Sequence, residues 1–317
     1  MLRIRELDWL GALVMIGAFV SGIMGISFGG ILYPWNSWNI ITAFTVSGVL
    51  FILLGFQQGF KIFTTESDRI FPVQFLRNKT MMLLAILIAC AGTGLVVPLY
   101  MVPLFFQFTR GDDALDAGVR ILPFIAVMVF FCVVNGIGMT KYGYYMPWYL
   151  VGGIFMLIGG ALMFTVDATD GPSKIYGYTV LIGMGSGMFV QAGFSVAQAT
   201  VAPEDIPWAV GLINQGQITG VTIAISIANS VFLNGAQDRI AVILPNKTRE
   251  EIQGAIAGTG SQFVKDQPLE VQAKVVEAIV EAISKTYILI ITAGAVAIVA
   301  SVFLKRERLF MTAASGA

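Results

Sequence analysis

The chain has 317 residues, of which 56% are hydrophobic and 12% are charged, and its formal net charge is zero. So much apolar side chain exceeds what a soluble domain can bury, and the balanced charge argues against the basic surface that nucleic-acid binding requires. The sequence therefore predicts a multi-pass integral membrane protein that contacts the lipid bilayer and binds no nucleic acid.

Eight apolar runs are long enough to cross the bilayer, which takes about 20 residues in a helix. They predict an all-α fold with eight transmembrane helices. The first run is longer than the apolar part of a signal peptide and is followed directly by a second, so we expect it to span the membrane. The predicted spans are 9–29, 39–60, 81–107, 119–139, 146–167, 175–200, 208–234 and 286–304.

Lysine and arginine residues flanking the spans predict the orientation, because short cytoplasmic loops carry most of the positive charge. The rule is best met when both termini are cytoplasmic. Residues 61–80 then form a cytoplasmic loop, residues 306–317 a cytoplasmic tail, and residues 235–285 an excursion on the outside. We expect the host membrane to be the plasma membrane or the vacuolar membrane.

The predicted outside excursion contains signals for two short helices. Thr248 and Glu251 have the spacing of a capping box, and Pro268 opens an amphipathic segment whose Glu and Lys residues are helix-spaced pairs. Asn246 begins an Asn-x-Thr sequon, which makes it a candidate glycosylation site.

The third span contains two prolines that predict kinks or local loosening, since each removes a backbone donor. A bent helix can act as a gate, and Pro98 and Pro103 are the gate candidates. Aromatic and amide side chains nearby are candidates for a substrate path, although aromatics at helical spacing are more often packing residues. These candidates are Tyr100, Phe105, Gln107 and, in the fourth span, Asn135.

Amide and hydroxyl side chains recur at helical spacing in the sixth and seventh spans. Any one of them fits a hydrogen bond between helices, which contributes about 0.6 kcal/mol. As a set they favour a water-accessible cavity, because hydration relieves the cost of placing amides in hydrocarbon. The sixth span contributes Gln191, Ser195 and Gln198 on one stripe with Gly187. In the seventh span Gln215 lies on a stripe with Gly211, Thr219, Thr222, Ser226 and Asn229, and Asn214 and Gln217 lie beside that stripe.

The sequence lacks the side chains of most catalytic sites. It has no histidine, and no carboxylate pair, nucleophile–base arrangement or phosphate-binding glycine loop is evident. We predict neither enzyme activity nor a cofactor nor a metal site. No ionisable residue lies in the middle of a span, so no proton-coupling group is visible. Cys90 and Cys132 read as small buried hydrophobes.

Four segments carry a family resemblance that covers essentially the whole chain. "LDWLGALVMIGAFVSGIMGISFGGILYPWNS" is similar to the first linker helix and turn of fungal fourteen-helix drug:proton antiporters of the major facilitator superfamily. "PLYMVPLFFQFTRGDDALDAGVRILPF" is similar to a helix, outer loop and next helix entry of that branch. "GMGSGMFVQAGFSVAQATVAPED" and "GLINQGQITGVTIAISIANSVF" resemble its later helices.

The register of the resemblance implies a domain organisation. Residues 1–60 match the two transmembrane linker helices between the superfamily's halves, and residues 81–305 match its six-helix C-terminal domain. The N-terminal six-helix half is missing from the match. The resemblance therefore implies that a missing N-terminal half, or a second copy of the chain, would complete a transport path.

The function implied is efflux of small amphipathic molecules, such as toxins, secondary metabolites or drugs, with proton coupling in the full-length form. The alternatives are a truncated membrane protein that does not transport, or an interaction partner of another transporter chain; a membrane enzyme ranks third. Because no mid-span acid or base is visible, we expect the chain alone not to perform proton-driven export.

Overall fold

The computed structural model describes residues 8–65, 70–257 and 268–309. Within these residues the fold is all-helical, and eight helical segments are long and apolar enough to cross a bilayer. The prediction of an all-α membrane fold with eight spans is confirmed.

The first two spans form a helical hairpin, which we call the N-terminal hairpin. It consists of α1 (Trp9–Phe28) and α2 (Trp38–Phe60). Asp8 and Ser37 cap the two helices by accepting hydrogen bonds from backbone N–H groups in their first turns. The helices pack on each other, and the Ser47 hydroxyl donates to the Ala18 carbonyl across the contact at 2.8 Å.

The other helices form a second unit, which we call the six-span core. A 3₁₀ turn (Val73–Arg77) precedes it, and Asn78 caps its first helix by accepting from the N–H groups of Thr80 and Met81. The helices of the core are α3 (Lys79–Arg110), α4 (Ala114–Val119), α5 (Leu122–Tyr142), α6 (Met146–Phe164), α7 (Pro172–Gly187), α8 (Ala192–Thr200), α9 (Ile206–Ile243), α10 (Arg249–Ala257), α11 (Leu269–Thr286) and α12 (Ile288–Val302).

Small residues let α3 and α9 pack backbone against backbone, as is usual between membrane helices. A Cβ on Gly216 would lie 2.9 Å from the Ala85 carbonyl oxygen, and one on Gly220 would lie 2.5 Å from the Ala89 Cα. Residue 216 therefore lies beside 85, and residue 220 beside 89, so the two helices run in the same direction. This contact forms the centre of the core.

The sixth span differs from the prediction of one helix over 175–200. It is divided into α7 and α8, and residues 188–191 form a turn between them. Glycines at alternate positions before the turn weaken the helix, because each costs about 0.8–1 kcal/mol relative to alanine. Gly187 is buried against the Met128 carbonyl of α5. The expected single stripe from Gly187 to Gln198 is therefore wrong at its first residue.

The seventh and eighth spans extend beyond their predicted ends. α9 continues to Ile243 rather than ending at 234, and its 38 residues correspond to about 57 Å, well beyond a hydrocarbon layer of about 30 Å. Only Tyr287 separates α11 from α12. Much of the expected 235–285 excursion therefore prolongs the spans, because α11 packs along the end of α9.

Local signals within that segment form as predicted. Thr248 and Glu251 make reciprocal capping hydrogen bonds, from the Thr248 N–H to a Glu251 carboxylate oxygen at 2.8 Å and from the Glu251 N–H to the Thr248 hydroxyl at 3.2 Å. Lys274 pairs with Glu270 at 2.8 Å. In the third span, by contrast, α3 remains a single helix through Pro98 and Pro103.

Candidate functional site

The α8 helix presents a polar face, which we define as Gln191, Ser195 and Gln198. All three side chains are exposed, whereas Val196 and Ala197 on the other side are fully buried. Gln191 stands at the N-cap of α8, and spacings of four and three residues place the three on one side. The structure therefore brings together the three polar residues predicted in this span.

The amide candidates of α9 lie on different sides of the helix. Asn214 is exposed, whereas Gln215 is half-buried and donates to the Thr219 hydroxyl at 3.3 Å. Consecutive helical residues point about 100° apart, so Asn214 and Gln215 cannot share one surface. Gln215 faces the N-terminal hairpin, and Gln217 is half-buried on the side of α9 opposite to Gln215.

The α3 candidates also separate. Tyr100 is 44% exposed, whereas Phe105 is 1% exposed and packs edge-on against Phe106 with ring centroids 5.3 Å apart. Gln107 is half-buried near the end of the helix. The structure therefore leaves Tyr100 accessible and places Phe105 in the core.

Asn135 of α5 is a buried amide with an unmet hydrogen bond. The side chain is 3% exposed, and its Nδ2 has no partner within the described residues. An unsatisfied buried donor costs about 1–3 kcal/mol, so it is an energetic liability for the fold alone. This residue is available to a water molecule or to a polar group of a ligand.

A groove of about 640 Å³ lies between the N-terminal hairpin and the six-span core. Helices α1 and α2 form one wall, and α3, α9 and α12 form the other. The lining is apolar apart from the side chains of Cys90, Thr93, Gln215, Thr219 and Thr292, and it includes Gly216 and Gly220. Sequence reasoning missed this groove, because its walls come from helices far apart in the chain.

The hairpin is fastened to the core at both ends of the groove. At one end Asn234 donates to the Gly29 carbonyl at 3.1 Å, and Gln253 donates to the Ile31 carbonyl at 2.9 Å. At the other end the Gln58 amide oxygen accepts from the Phe71 N–H at 3.1 Å. The hairpin therefore has a fixed position on the core.

A buried carboxylate stabilises the inner end of the hairpin. Asp8 is 4% exposed and accepts from Gly11 N–H at 2.7 Å, from Gln57 Nε2 at 3.0 Å and from Gln58 Nε2 at 2.6 Å. We call Asp8, Gln57 and Gln58 the inner cluster. The sequence signal was present, as a Gln-Gln pair at the end of an apolar run, but its partner lies one helix earlier.

The acidic loop before α5 is held by an ion pair. Arg120 contacts the Asp112 carboxylate, donates to the Tyr176 hydroxyl at 3.2 Å and lies 4.6 Å from the Phe106 ring centroid. The hydrogen bond from Arg120 lowers the pKa of Asp112 below its ordinary value. In the part of the chain that the structure describes, no group of three potential ligands could hold a metal ion.

Comparison with known proteins finds a matching family and several relatives. Residues 9–226 match the family model of the Major Facilitator Superfamily. The efflux pump alnA of Emericella nidulans is 47% identical over 99% of this chain and 57% of its own length. The phomenoic acid biosynthesis cluster MFS-type transporter of Leptosphaeria maculans is 42% identical over 99% of this chain and 53% of its own. The chain spans about half the length of the curated relatives it matches.

A solved structure has a similar fold. A bacterial homologue of the human lysosomal transporter Spinster, crystallised in an inward-facing and occupied conformation, matches with a TM-score of 0.52. The match covers 93% of this chain and 65% of the other, at 17% identity. At this identity the likeness concerns the fold alone.

Proposed function

The chain belongs to the major facilitator superfamily, and we propose that within it the protein is part of an efflux pump for small amphipathic molecules such as secondary metabolites, toxins or drugs. It is a multi-pass integral membrane protein of a transporter family and is not an enzyme. The relatives supply the direction of transport and the class of cargo, and both come to this chain as a proposal.

The observation that carries the proposal is the α8 polar face. Gln191, Ser195 and Gln198 are exposed on a span whose opposite face is packed in the core. An amide facing lipid would lose its hydrogen bonds to water, so an exposed polar row favours a water-accessible path. Amide groups can both donate to and accept from the polar end of an amphipathic cargo.

We assign cargo contact to the α8 polar face and to Asn214 of α9. Tyr100 contributes an accessible aromatic ring from α3, and Pro98 and Pro103, which each remove a backbone donor from that helix, are the proposed gate. Proton coupling belongs to the full-length form in this proposal.

The proposed domain organisation follows the resemblance of the sequence to the superfamily. Residues 1–60 are the linker pair and residues 81–305 the C-terminal six-helix domain, opposed by an N-terminal half or a second copy across the cargo path. Both ends of the chain face the cytoplasm, Asn246 is glycosylated on the other side, and the host is the plasma or vacuolar membrane.

Leucine substitutions test the cargo role. In the full-length transporter, Gln191→Leu and Gln198→Leu should each lower export of a fluorescent lipophilic substrate at least fivefold, with membrane abundance unchanged. Ala199→Leu is the matched control, since Ala199 is an exposed apolar residue of the same helix. Export that falls only in proportion to abundance would show that the glutamines serve packing.

A further inference from the structure

The groove between the N-terminal hairpin and the six-span core lies at membrane depth. The middle of the hairpin forms one side of the groove. The hydrogen bonds of Asn234 and Gln58 lie near the two ends of the hairpin. Water is a poor occupant of such a space, since a stable water needs two to four polar partners. The walls are instead almost wholly hydrocarbon.

The groove opens sideways, through wall residues that are exposed on the surface of the helical bundle. Four of its wall residues are substantially exposed, namely Phe51 at 42%, Ile86 at 43%, Ile223 at 38% and Val296 at 45%. All four lie within predicted membrane spans and present hydrocarbon to the opening. An occupant can therefore enter from the bilayer without crossing a polar surface.

The groove is longer than one leaflet but shorter than the whole hydrocarbon layer. Its lining rises by about 16 Å from Met82 to Thr93 on α3 and by about 22 Å from Leu212 to Ile227 on α9, whereas the hydrocarbon layer is about 30 Å thick. The lining residues lie at one end of the bundle, the end at which α3 and α9 begin and at which α2 and α12 finish. The groove therefore does not extend through the second leaflet.

A cation lies on α3 just before the first groove residue of that helix. Lys79 is exposed and lies three residues before Met82 and seven before Ile86, which places it on the same side of α3 as these wall residues. A lysine at this depth attracts the phosphate of a lipid headgroup. Apolar walls below a cation are complementary to a phospholipid.

We propose that the groove is a binding site for a membrane phospholipid, with one acyl chain between the N-terminal hairpin and the core and the phosphate at Lys79. The lipid fills the volume that the hairpin leaves open and forms part of the contact between the two units. This site is separate from the α8 polar face, and its existence does not depend on the proposed efflux function.

Photo-crosslinking of the 317-residue chain tests the site. A phospholipid with a diazirine in the middle of one chain is incorporated into the membranes, the protein is extracted in mild detergent, and adducts are mapped by mass spectrometry. We expect at least ten times more adduct on 82–93 and 215–223 than on Val151, Ile154 and Ile158 of α6, whose exposure is similar. Equal labelling of the two regions would overturn the proposal.

Groove-filling variants separate a bound lipid from adventitious contact. Thr219→Phe and Met15→Trp fill the groove from opposite walls, and each should lower groove adducts at least tenfold, whereas Ile158→Phe on α6 should not. Two walls are used so that a folding defect in one variant does not decide the result. Unchanged groove labelling in a folded filling variant would contradict the proposal.

Two further arms identify the occupant. A diacylglycerol probe without phosphate, and the phospholipid probe with Lys79→Gln, should each label the groove several-fold less than the phospholipid probe with the unmodified chain. Equal labelling would remove Lys79 from the site. A lipophilic export substrate that abolished groove labelling at micromolar concentration would show that the groove binds cargo and would overturn the assignment to lipid.

Discussion

The inner cluster of the N-terminal hairpin and the α8 polar face both place glutamines in apolar surroundings, and they resolve the problem in opposite ways. Gln57 and Gln58 are 6% and 2% exposed, and both donate to the Asp8 carboxylate. Gln191 and Gln198 are exposed, and their side chains make no hydrogen bond within the described residues. Amides that are buried and paired hold the structure, whereas amides that are exposed and unpaired are free for solvent or cargo.

The comparison predicts a large difference in stability between the two sets. Removing a hydrogen-bond donor from a buried carboxylate costs about 1.5–3 kcal/mol, because the acceptor is left with fewer partners. An exposed polar side chain contributes within about 0.5 kcal/mol. Four experiments test this contrast, and they follow in order of decreasing expected effect.

Gln58→Leu should produce the largest loss. It removes the 2.6 Å donor to Asp8 and the acceptor of the Phe71 N–H, so we expect the free energy of unfolding to fall by about 2–4 kcal/mol. Gln198→Leu on α8 is the control and should stay within about 0.5 kcal/mol. Thermal unfolding in detergent measures both. Similar unfolding midpoints for the two variants would show that the buried glutamine is no more important to stability than the exposed one.

Gly220→Ala extends the contrast to the two faces of α9. The new Cβ would lie 2.5 Å from the Ala89 Cα of α3, so the helices must separate, at a cost of about 1–3 kcal/mol. Gly211→Ala is the matched control, since a Cβ there meets nothing within 4 Å. Membrane abundance and thermal unfolding should fall for Gly220→Ala alone. A destabilised control would show that α9 is not packed as described.

Asn234→Ala tests the outer attachment of the hairpin. Its Nδ2 donates to the Gly29 carbonyl at 3.1 Å, and loss of such a bond costs about 1 kcal/mol. Asn214→Ala, at an exposed position on the same helix, should be neutral. Hydrogen exchange at residues 29–33 should rise severalfold for Asn234→Ala. Unchanged protection there would mean that the hairpin is held mainly by its inner end.

The Asp112–Arg120 pair should show the smallest effect and a defined pH dependence. Because Arg120 lowers the pKa of Asp112, the pair stabilises the loop above the ordinary carboxyl pKa of 3.8, and this stabilisation is lost as the pH falls through the lower folded value. The protection factors of the α4 amides, in which the exchange rate is corrected for its intrinsic pH dependence, should therefore be constant at neutral pH and fall only below about pH 4. Asp112→Asn should abolish this fall at acid pH. Protection factors that already fall at pH 6 would contradict the assignment.

Features that depend on the pattern of neighbouring residues could be predicted from the sequence alone. The length of the apolar runs fixed eight spans, because a helix that crosses the bilayer must satisfy its backbone within about 20 residues. The Thr248–Glu251 capping box could be predicted because both partners lie within one helical turn. The polar residues of α8 were also found, because their spacing places them on one side of any helix.

Other features arise from contacts between residues that are distant in the chain, so only the tertiary structure shows them. The glycines before residue 188 weaken a helix locally, but whether it breaks depends on the packing of Gly187 against α5. Packing also decides which side of α9 faces the hairpin, and that side carries Gln215. Asp8 finds Gln58 fifty residues away, and Gly29 finds Asn234 across 205 residues. Spacing along the chain carries no information about such pairs, since their approach is set by the packing of whole helices.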